Sequence, residues 1–379
     1  MKILITGAKG FIGKNLIVEL RNQGFTSLFE YDLDANPAEL ERYAKECEFV
    51  FHLAGVNRPE KQEDFMSGNL GFTSLLLDTL KKYNNKAPVL ITSSTQAMLD
   101  NPYGRSKHAG EELVFQHGKE IAIPVFVYRL PNVFGKWCRP NYNSAIATFC
   151  HRIANDLPVQ INDPNTEMNL VYIDDVVRSF TEKLQVTQQH AASADYELRD
   201  EIHFENVSPV YTIKLGEIVE LIYQFKECRD NLYVPDMSDD FVKKLYSTYL
   251  SYLPTDKFSY LLKMNTDQRG SFTEFLKTAD RGQISINIAK PHITKGNHWH
   301  HTKNEKFLVV SGKGVIRLRK INSNEVIEYF VSGDKLEVVD IPVGYTHHIE
   351  NLGDTDMVTV MWVNEVFNKE IPDTFFSNV

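Results

Sequence analysis

The chain has 379 residues, 42% of them hydrophobic and 24% charged, with 41 basic against 50 acidic side chains and a formal net charge of −9. This is the composition of a soluble globular protein, long enough that two domains are expected. The acidic balance, with no cluster of Lys and Arg, argues against a nucleic-acid partner, and the longest apolar runs, such as Phe307–Val310 and Val89–Ile91, fall far short of the ~20 residues of a membrane span.

The N-terminal apolar run is cut by Gly7 and Gly10 before it reaches the length of a signal segment. From Lys2 to Asp175 short β-rich runs then alternate with segments of helical length. Lys2–Thr6, Ser27–Asp32, Phe49–Leu53, Val89–Ser93 and Pro124–Arg129 read as strands. Gly13–Gly24, Pro37–Cys47, Gly68–Tyr83 and Tyr103–Gly118 read as helices, which predicts a Rossmann-like, doubly wound parallel sheet in an α/β domain over residues 1–250. Ile213–Arg229 and Asp239–Leu250 continue as amphipathic helices. The pattern changes near Tyr252–Asp267. Residues 255–379 alternate as short strands: Gln283–Ala289, Lys306–Val310, Gly314–Lys320, Val326–Val331, Lys335–Asp340 and Met357–Val363. Ser311–Gly314 and Asn322–Asn324 are expected as hairpin turns, and the region as an all-β barrel or jelly roll. Cys47, Cys138, Cys150 and Cys228 lack CxxC spacing, and read as reduced core thiols of a cytoplasmic protein.

Strand Lys2–Thr6 runs into Gly7-Ala8-Lys9-Gly10-Phe11-Ile12-Gly13, which opens a helix. Glycines there permit a tight turn and close approach of the backbone to a pyrophosphate, which the free N–H groups of the helix N-terminus then bind. Asp32, ending the second strand, is placed to accept from a ribose 2′-hydroxyl and so points to NAD(H). Lys9, inside the loop, is placed instead to meet the 2′-phosphate of NADP(H). Further on, Ser94 ends a strand, and Tyr103 and Lys107 share one face of a helix. A lysine ammonium beside a phenol lowers its pKa, so that with a serine hydroxyl the group can protonate a carbonyl that receives hydride.

In the second region His298 and His300 lie two apart and can face the same side of a strand. Glu305 follows near the start of the next strand, and His347 stands just past the Pro342-Val343-Gly344 turn. Imidazoles with a carboxylate suit zinc, manganese, iron or nickel with a position left for substrate. His301 and His348 are adjacent alternatives that blur this assignment by one position.

The first region resembles the extended short-chain dehydrogenase/reductase family. The matching pieces are the glycine loop, His52-Leu53-Ala54-Gly55, Ser94, Tyr103, Lys107, Arg129-Leu130-Pro131-Asn132-Val133-Phe134-Gly135 and Tyr172-Ile173-Asp174-Asp175-Val176. The resemblance implies Ser94, Tyr103 and Lys107 as the catalytic triad, with Tyr103 and Lys107 also meeting the cofactor. Gly7, Lys9, Gly10, Phe11, Ile12, Gly13, Asp32, Leu53, Ala54 and Gly55 are implied around that cofactor, and Asn132 near the sugar nucleotide. It departs where nucleotide-sugar members carry an arginine, because this chain has Met168 and Asn169.

The second region resembles both cupin motifs, HxH(x4)E(x6)G at His298–Gly312 and PxG(x2)H(x3)N at Pro342–Asn351, departing at Leu336 where a glycine is expected. Asp267–Phe275 is similar to the opening motif of deoxysugar 3- or 3,5-epimerases, which makes Arg269 and Glu274 candidates for nucleotide contact. With His298 committed to metal, the base is open among His300, Lys295 and Tyr345.

Taken end to end, with Gly135–Cys138, Tyr142–Ser144 and Gly296–Glu305, the chain resembles the capsular polysaccharide synthesis enzyme F family. That resemblance implies a homodimer that uses NADPH and zinc on a UDP-linked 4-keto-6-deoxy-N-acetylhexosamine. It implies C3 epimerisation by the cupin and C4 reduction by the dehydrogenase domain. The alternative is a lone reductase whose metal-bound cupin serves only structure and dimerisation.

Overall fold

The apolar run at the N-terminus becomes β1 (Lys2–Thr6), whose Ile3, Leu4 and Ile5 are inaccessible to solvent, as a strand covered on both faces by helices requires. The structure is a computed structural model that describes residues 1–193, 203–370 and 372–379. After β1 come α1 (Phe11–Asn22), β2 (Ser27–Tyr31), α2 (Pro37–Glu46), β3 (Phe49–His52), α3 (Phe72–Lys82), β4 (Val89–Ser94), α4 (Pro102–Ile121) and β5 (Val125–Leu130). Helix starts are set by local chemistry: Asn36 and Asn101 accept N–H bonds from Ala38 and Gly104, and each is followed by a proline at the first helical position. Then follow β6 (Asn132–Phe134), α5 (Ala145–Ala154), β7 (Glu167–Tyr172), α6 (Ile173–Ser193), β8 (Phe204–Glu205), β9 (Tyr211–Lys214), α7 (Leu215–Asn231) and α8 (Asp240–Leu250).

Strands β1–β5 and β8 form one parallel sheet in the order β2-β1-β3-β4-β5-β8. The order reverses at β1, so a crevice opens beyond the carboxyl ends of β1 and β3, where such sheets bind their ligands. This is the Rossmann-like architecture expected of an extended short-chain dehydrogenase/reductase. Two details were not expected. The stretch read as helix from Gly68 begins with a π-helical turn over Met66–Gly71, and Tyr211–Lys214 is a strand of a small β6-β7-β9 sheet.

The remaining strands are β10 (Asn265–Asp267), β11 (Gly270–Thr278), β12 (Gly282–Ala289), β13 (Thr294–Trp299), β14 (Glu305–Ser311), β15 (Lys313–Lys320), β16 (Val326–Ser332), β17 (Val338–Ile341), β18 (Tyr345–Asn351), β19 (Met357–Val363) and β20 (Phe375–Phe376). They make two antiparallel sheets, β10-β11-β12-β19-β14-β17 and β16-β15-β18-β13-β20. Phe307, Val309 and Met357 of the first sheet share one buried cluster with Ile316, Leu318 and Ile349 of the second. Asn322–Asn324 closes the β15–β16 hairpin, but Ser311–Gly314 closes none. Strand β14 pairs with β17 and β19, and β15 with β16 and β18, so that short link carries the chain from one sheet to the other.

By contacts the chain divides into two units, residues 1–223 with 244–254 and residues 224–243 with 255–379. The division falls inside α7 and α8. No helix among the described residues is long and apolar enough to cross a membrane. The four cysteines are unpaired.

Candidate functional site

The glycine loop joins β1 to α1 as the sequence requires. Gly7 has φ +69°, and a Cβ there would lie 2.7 Å from the Ala54 amide nitrogen; one on Gly13 would lie 2.3 Å from the Gly7 carbonyl oxygen. These two positions let the loop, the β3 end and α1 meet. Leu53 and Ala54 therefore lie against the loop, a Cβ on Gly55 would instead lie 3.0 Å from both Asn69 Oδ1 and Lys107 Nζ, and Phe11 and Ile12 open α1 behind Gly10. Asp32 accepts from the backbone N–H of Lys9 at 2.7 Å and from that of Leu33 at 2.8 Å, while the Lys9 ammonium pairs with Asp34. Asp32 is thus at the loop, as expected, and Lys9 is held beside a second carboxylate.

The Asn101 cap and Pro102 set the start of α4, which places Tyr103 on its first turn and Lys107 one turn later. The Tyr103 hydroxyl donates to Asn57 Oδ1 at 3.1 Å and interacts with Ser94. Burial pushes the Tyr103 pKa up, against the lowering effect of the Ser94 hydrogen bond, which corrects the expectation that Lys107 dominates it. Lys107 Nζ stands 6.0 Å from the Tyr103 ring centre and donates to the Thr92 carbonyl at 3.2 Å. Its own pKa falls to about 8 because burial disfavours the charge, only partly offset by Glu111.

Sequence reasoning missed the groups that hold this arrangement. Asn69, on the π-helical turn, accepts from the Val56 amide at 2.8 Å and donates to Ser106 at 3.0 Å, tying the loop after β3 to α4. A π-turn of this kind often marks a functional site, but no residue pattern announces it. His52 bridges Thr6 at 2.7 Å and Thr73 at 2.8 Å, and burial lowers its pKa to about 3, so it is neutral. Asn132 is exposed on β6, 3.5 Å from the Asn169 carbonyl.

In the all-β unit the imidazole or carboxylate atoms of His298, His300, Glu305 and His347 all lie within 4.8 Å of one another. Strand register explains how. His347 is opposite buried Leu318 and opposite His298, so both histidines face the interior, whereas His348 is opposite Arg317 and faces away. The register shifts between Gly296 and His298, with Asn297 at φ +61°. Counting by twos from Lys295, an uninterrupted strand would turn His298 outward; the bulge returns it inward. Among the adjacent alternatives, His301 meets Trp299 and Phe375 edge to face, and His348 bonds to Asn297.

Glu305 Oε2 is 3.0 Å from His347 Nε2 and 3.7 Å from His300 Nε2. Burial would raise the Glu305 pKa, but the His300 and His347 imidazoles beside it outweigh that and hold the carboxyl well below its usual range. Burial, with His347 adding to it, lowers His298 to about 4. The buried atoms His300 Nε2, Glu305 Oε2 and both ring nitrogens of His347 lack a geometrically sound hydrogen bond among the described residues. Convergent, orphaned buried atoms on imidazoles and a carboxylate fit a divalent cation such as zinc. Lys295 Nζ bonds Asn287 Oδ1 at 3.0 Å and the Ile288 carbonyl at 2.7 Å, and burial lowers its pKa. Arg269 pairs with Asp267 at 2.6 Å and Glu274 with Lys277 at 2.9 Å, so these two candidates do not meet each other. Tyr345 begins β18, and Asn351 serves as a turn clasp, bonding Ala289, Gly353 and Thr355.

Residues 3–198 match the NAD dependent epimerase/dehydratase family, and residues 265–375 the polysaccharide biosynthesis C-terminal domain. Capsular polysaccharide assembling protein CapF from Staphylococcus aureus superposes with a TM-score of 0.90 at 54% identity, covering all of both chains. The chain belongs to the capsular polysaccharide synthesis enzyme F family. A UDP-2-acetamido-2,6-beta-L-arabino-hexul-4-ose reductase of Pseudomonas aeruginosa is 45% identical across the whole chain and 99% of its own length. UDP-glucose 4-epimerase from Thermotoga maritima, at 20% identity and a TM-score of 0.53 over 66% of this chain, shares the fold of the parallel-sheet unit. Membership in this family makes the chain an oxidoreductase that uses a nicotinamide cofactor.

Proposed function

We propose that the chain performs two successive reactions on one sugar. The all-β unit, a cupin, epimerises C3 of UDP-2-acetamido-2,6-dideoxy-β-L-arabino-hexos-4-ulose. The parallel-sheet unit then reduces the C4 ketone to give UDP-2-acetamido-2,6-dideoxy-β-L-talose, for surface polysaccharide synthesis. The observation that carries this reading is the four-residue cluster of His298, His300, Glu305 and His347, converging within 4.8 Å inside the all-β unit of a reductase chain. The P. aeruginosa relative, named for reduction of a 4-keto sugar, supports the substrate.

A C3 proton beside a C4 ketone is acidic because its carbanion delocalises onto O4 as an enolate. Lys295 would take that proton, with His300 the alternative only where its Nε2 is free of metal, and return from the opposite face inverts C3. His298, His300, Glu305 and His347 would hold zinc. A bound cation supplies positive charge for the enolate oxygen, and bound NADPH supplies hydride. In the reductase site Tyr103 would protonate O4, with Ser94 orienting the carbonyl and Lys107 holding the local charge positive. Arg269, Glu274 and Asn132 are assigned to the substrate. Lys9 favours NADPH, with NADH the alternative from Asp32. Epimerisation must come first, since reduction removes the ketone that acidifies C3. We assign the enzyme to the cytoplasm as a homodimer, with the open β16 edge, where Val326, Ile327, Tyr329 and Phe330 are exposed, as the surface a second copy covers.

The test uses the UDP-linked keto sugar in D2O without nicotinamide. Deuterium is expected at C3 in the wild type and in Tyr103→Phe, which should lose about 10²–10⁴-fold of its NADPH oxidation. Glu305→Gln should lose the exchange. A wild type that oxidises NADPH but exchanges nothing at C3 would leave a reductase with a purely structural cupin.

A further inference from the structure

The cluster is held from outside by a part of the chain far away in sequence. His300 Nδ1 lies 2.5 Å from the backbone carbonyl oxygen of Asp373, a contact in which the ring must donate. That fixes the tautomer whose free Nε2 lone pair faces Glu305 and His347. The Asp373 carboxylate meanwhile accepts from the amides of His301 at 3.0 Å, Thr302 at 2.9 Å and Lys303 at 3.0 Å, and from the Thr302 hydroxyl at 3.0 Å. Lys303, itself buried, donates Nζ to the Pro372 carbonyl at 2.7 Å. These bonds close on the turn between β13 and β14, which joins His298 and His300 to Glu305.

The strap is anchored beyond Asp373 as well. In β20, Phe376 is opposite His298 and Phe375 opposite Trp299; Ser377 then donates its amide to the Asn297 carbonyl at 3.0 Å, on the bulge that turns His298 inward. One short C-terminal segment thus touches the bulge, the His300 ring and the turn before Glu305. This half-exposed carboxylate gives its acceptor capacity to three backbone amides and a hydroxyl of one turn, which ties the C-terminal segment to that turn.

We infer that Asp373 is a positioning residue for the metal cluster, holding His300 in its ligating tautomer and the 301–303 turn at the spacing that three ligands need. The inference rests on the metal reading of the cluster. Ligand orientation by such outer hydrogen bonds is worth about 10–100-fold in metal affinity.

The experiment measures the zinc Kd of the full chain by competition with a chromophoric chelator, with Co(II) absorption as a report on ligand geometry. Asp373→Ala should raise Kd by about 10–100-fold and alter the Co(II) bands, and Asp373→Asn, which keeps one acceptor, should fall between. Should the alanine variant not fold, Thr302→Val and Lys303→Met each remove one bond of the strap, and each should raise Kd by about 2–10-fold. Zinc affinity and Co(II) bands indifferent to these changes, even with a lower melting temperature, would overturn the inference and leave Asp373 merely structural. Failure of the wild-type chain to bind zinc at all would overturn the metal reading and this inference with it.

Discussion

Around the ends of β3, β4 and β5 the buried polar side chains have partners. His52 bridges two threonines, and Glu111, 1% exposed, takes two bonds from Arg129 at 2.9 and 2.7 Å and one from Ser93 at 2.5 Å. Inside the all-β unit the opposite holds. His300, Glu305, His347, Gln283 and Thr359 each keep a buried atom without a sound hydrogen bond among the described residues. A finished network stabilises the fold and fixes the groups around it, whereas an unfinished one is a cost that the fold carries for something that binds. In this chain the region around Tyr103 and Lys107 is the first kind and the cluster is the second.

The largest expected effect tests the finished network. Glu111→Ala leaves the Arg129 guanidinium, stacked 3.7 Å over the Phe204 ring, without its counter-charge. Breaking a buried pair from one side costs about 3–5 kcal/mol, to be read as a loss of unfolding free energy in urea. A change below about 1 kcal/mol would mean that the pair is solvated like a surface bridge, and the contrast between the two regions would lose one side.

An intermediate effect concerns Lys107. A lysine whose folded pKa is about 8, against about 10.4 unfolded, binds fewer protons when folded. Its ammonium therefore opposes folding at neutral pH, and stability recovers as pH rises from about 8 towards 10.4. The active charge is lost over the same window. Reductase kcat/KM is accordingly expected to fall about tenfold per pH unit above pH 8, and Lys107→Arg, which stays charged, should flatten that limb. An unchanged limb in the arginine variant would assign the titration to another group.

Legibility from sequence followed the same division. Gly7, Gly10, Gly13, Asp32, Tyr103 and Lys107 could be placed because each lies within one strand–loop–helix step, where spacing fixes geometry. The His298, His300, Glu305 and His347 set was readable as a pattern, but which neighbour of each histidine pair faces inward was not. Strand alternation decides it for His347, and at His298 the decision rests on one bulged residue, Asn297. Asn57, Asn69 and Asp373 left no signal, because each acts through a partner brought near only by the folded chain. The same blindness made Ser311–Gly314 look like a hairpin: a glycine turn between two strands is written alike whether the strands pair or part into separate sheets.

The smallest effect is the sharpest test of the contrast. Thr359 lies on β19 opposite Asn287 and Val309, fully buried, with its hydroxyl facing the interior that holds the cluster. Thr359→Val keeps the shape and removes only the unpaired oxygen. If that oxygen is kept for a ligand, the metal-free chain should gain about 1 kcal/mol in urea unfolding, since a buried unsatisfied group costs about 1–3 kcal/mol. The same variant should weaken C3 exchange chiefly through KM, because the lost contact is one the sugar would make. Lower stability in the valine variant would show that the hydroxyl is already satisfied, and the all-β interior would then be packed on the same terms as the region around Tyr103 and Lys107.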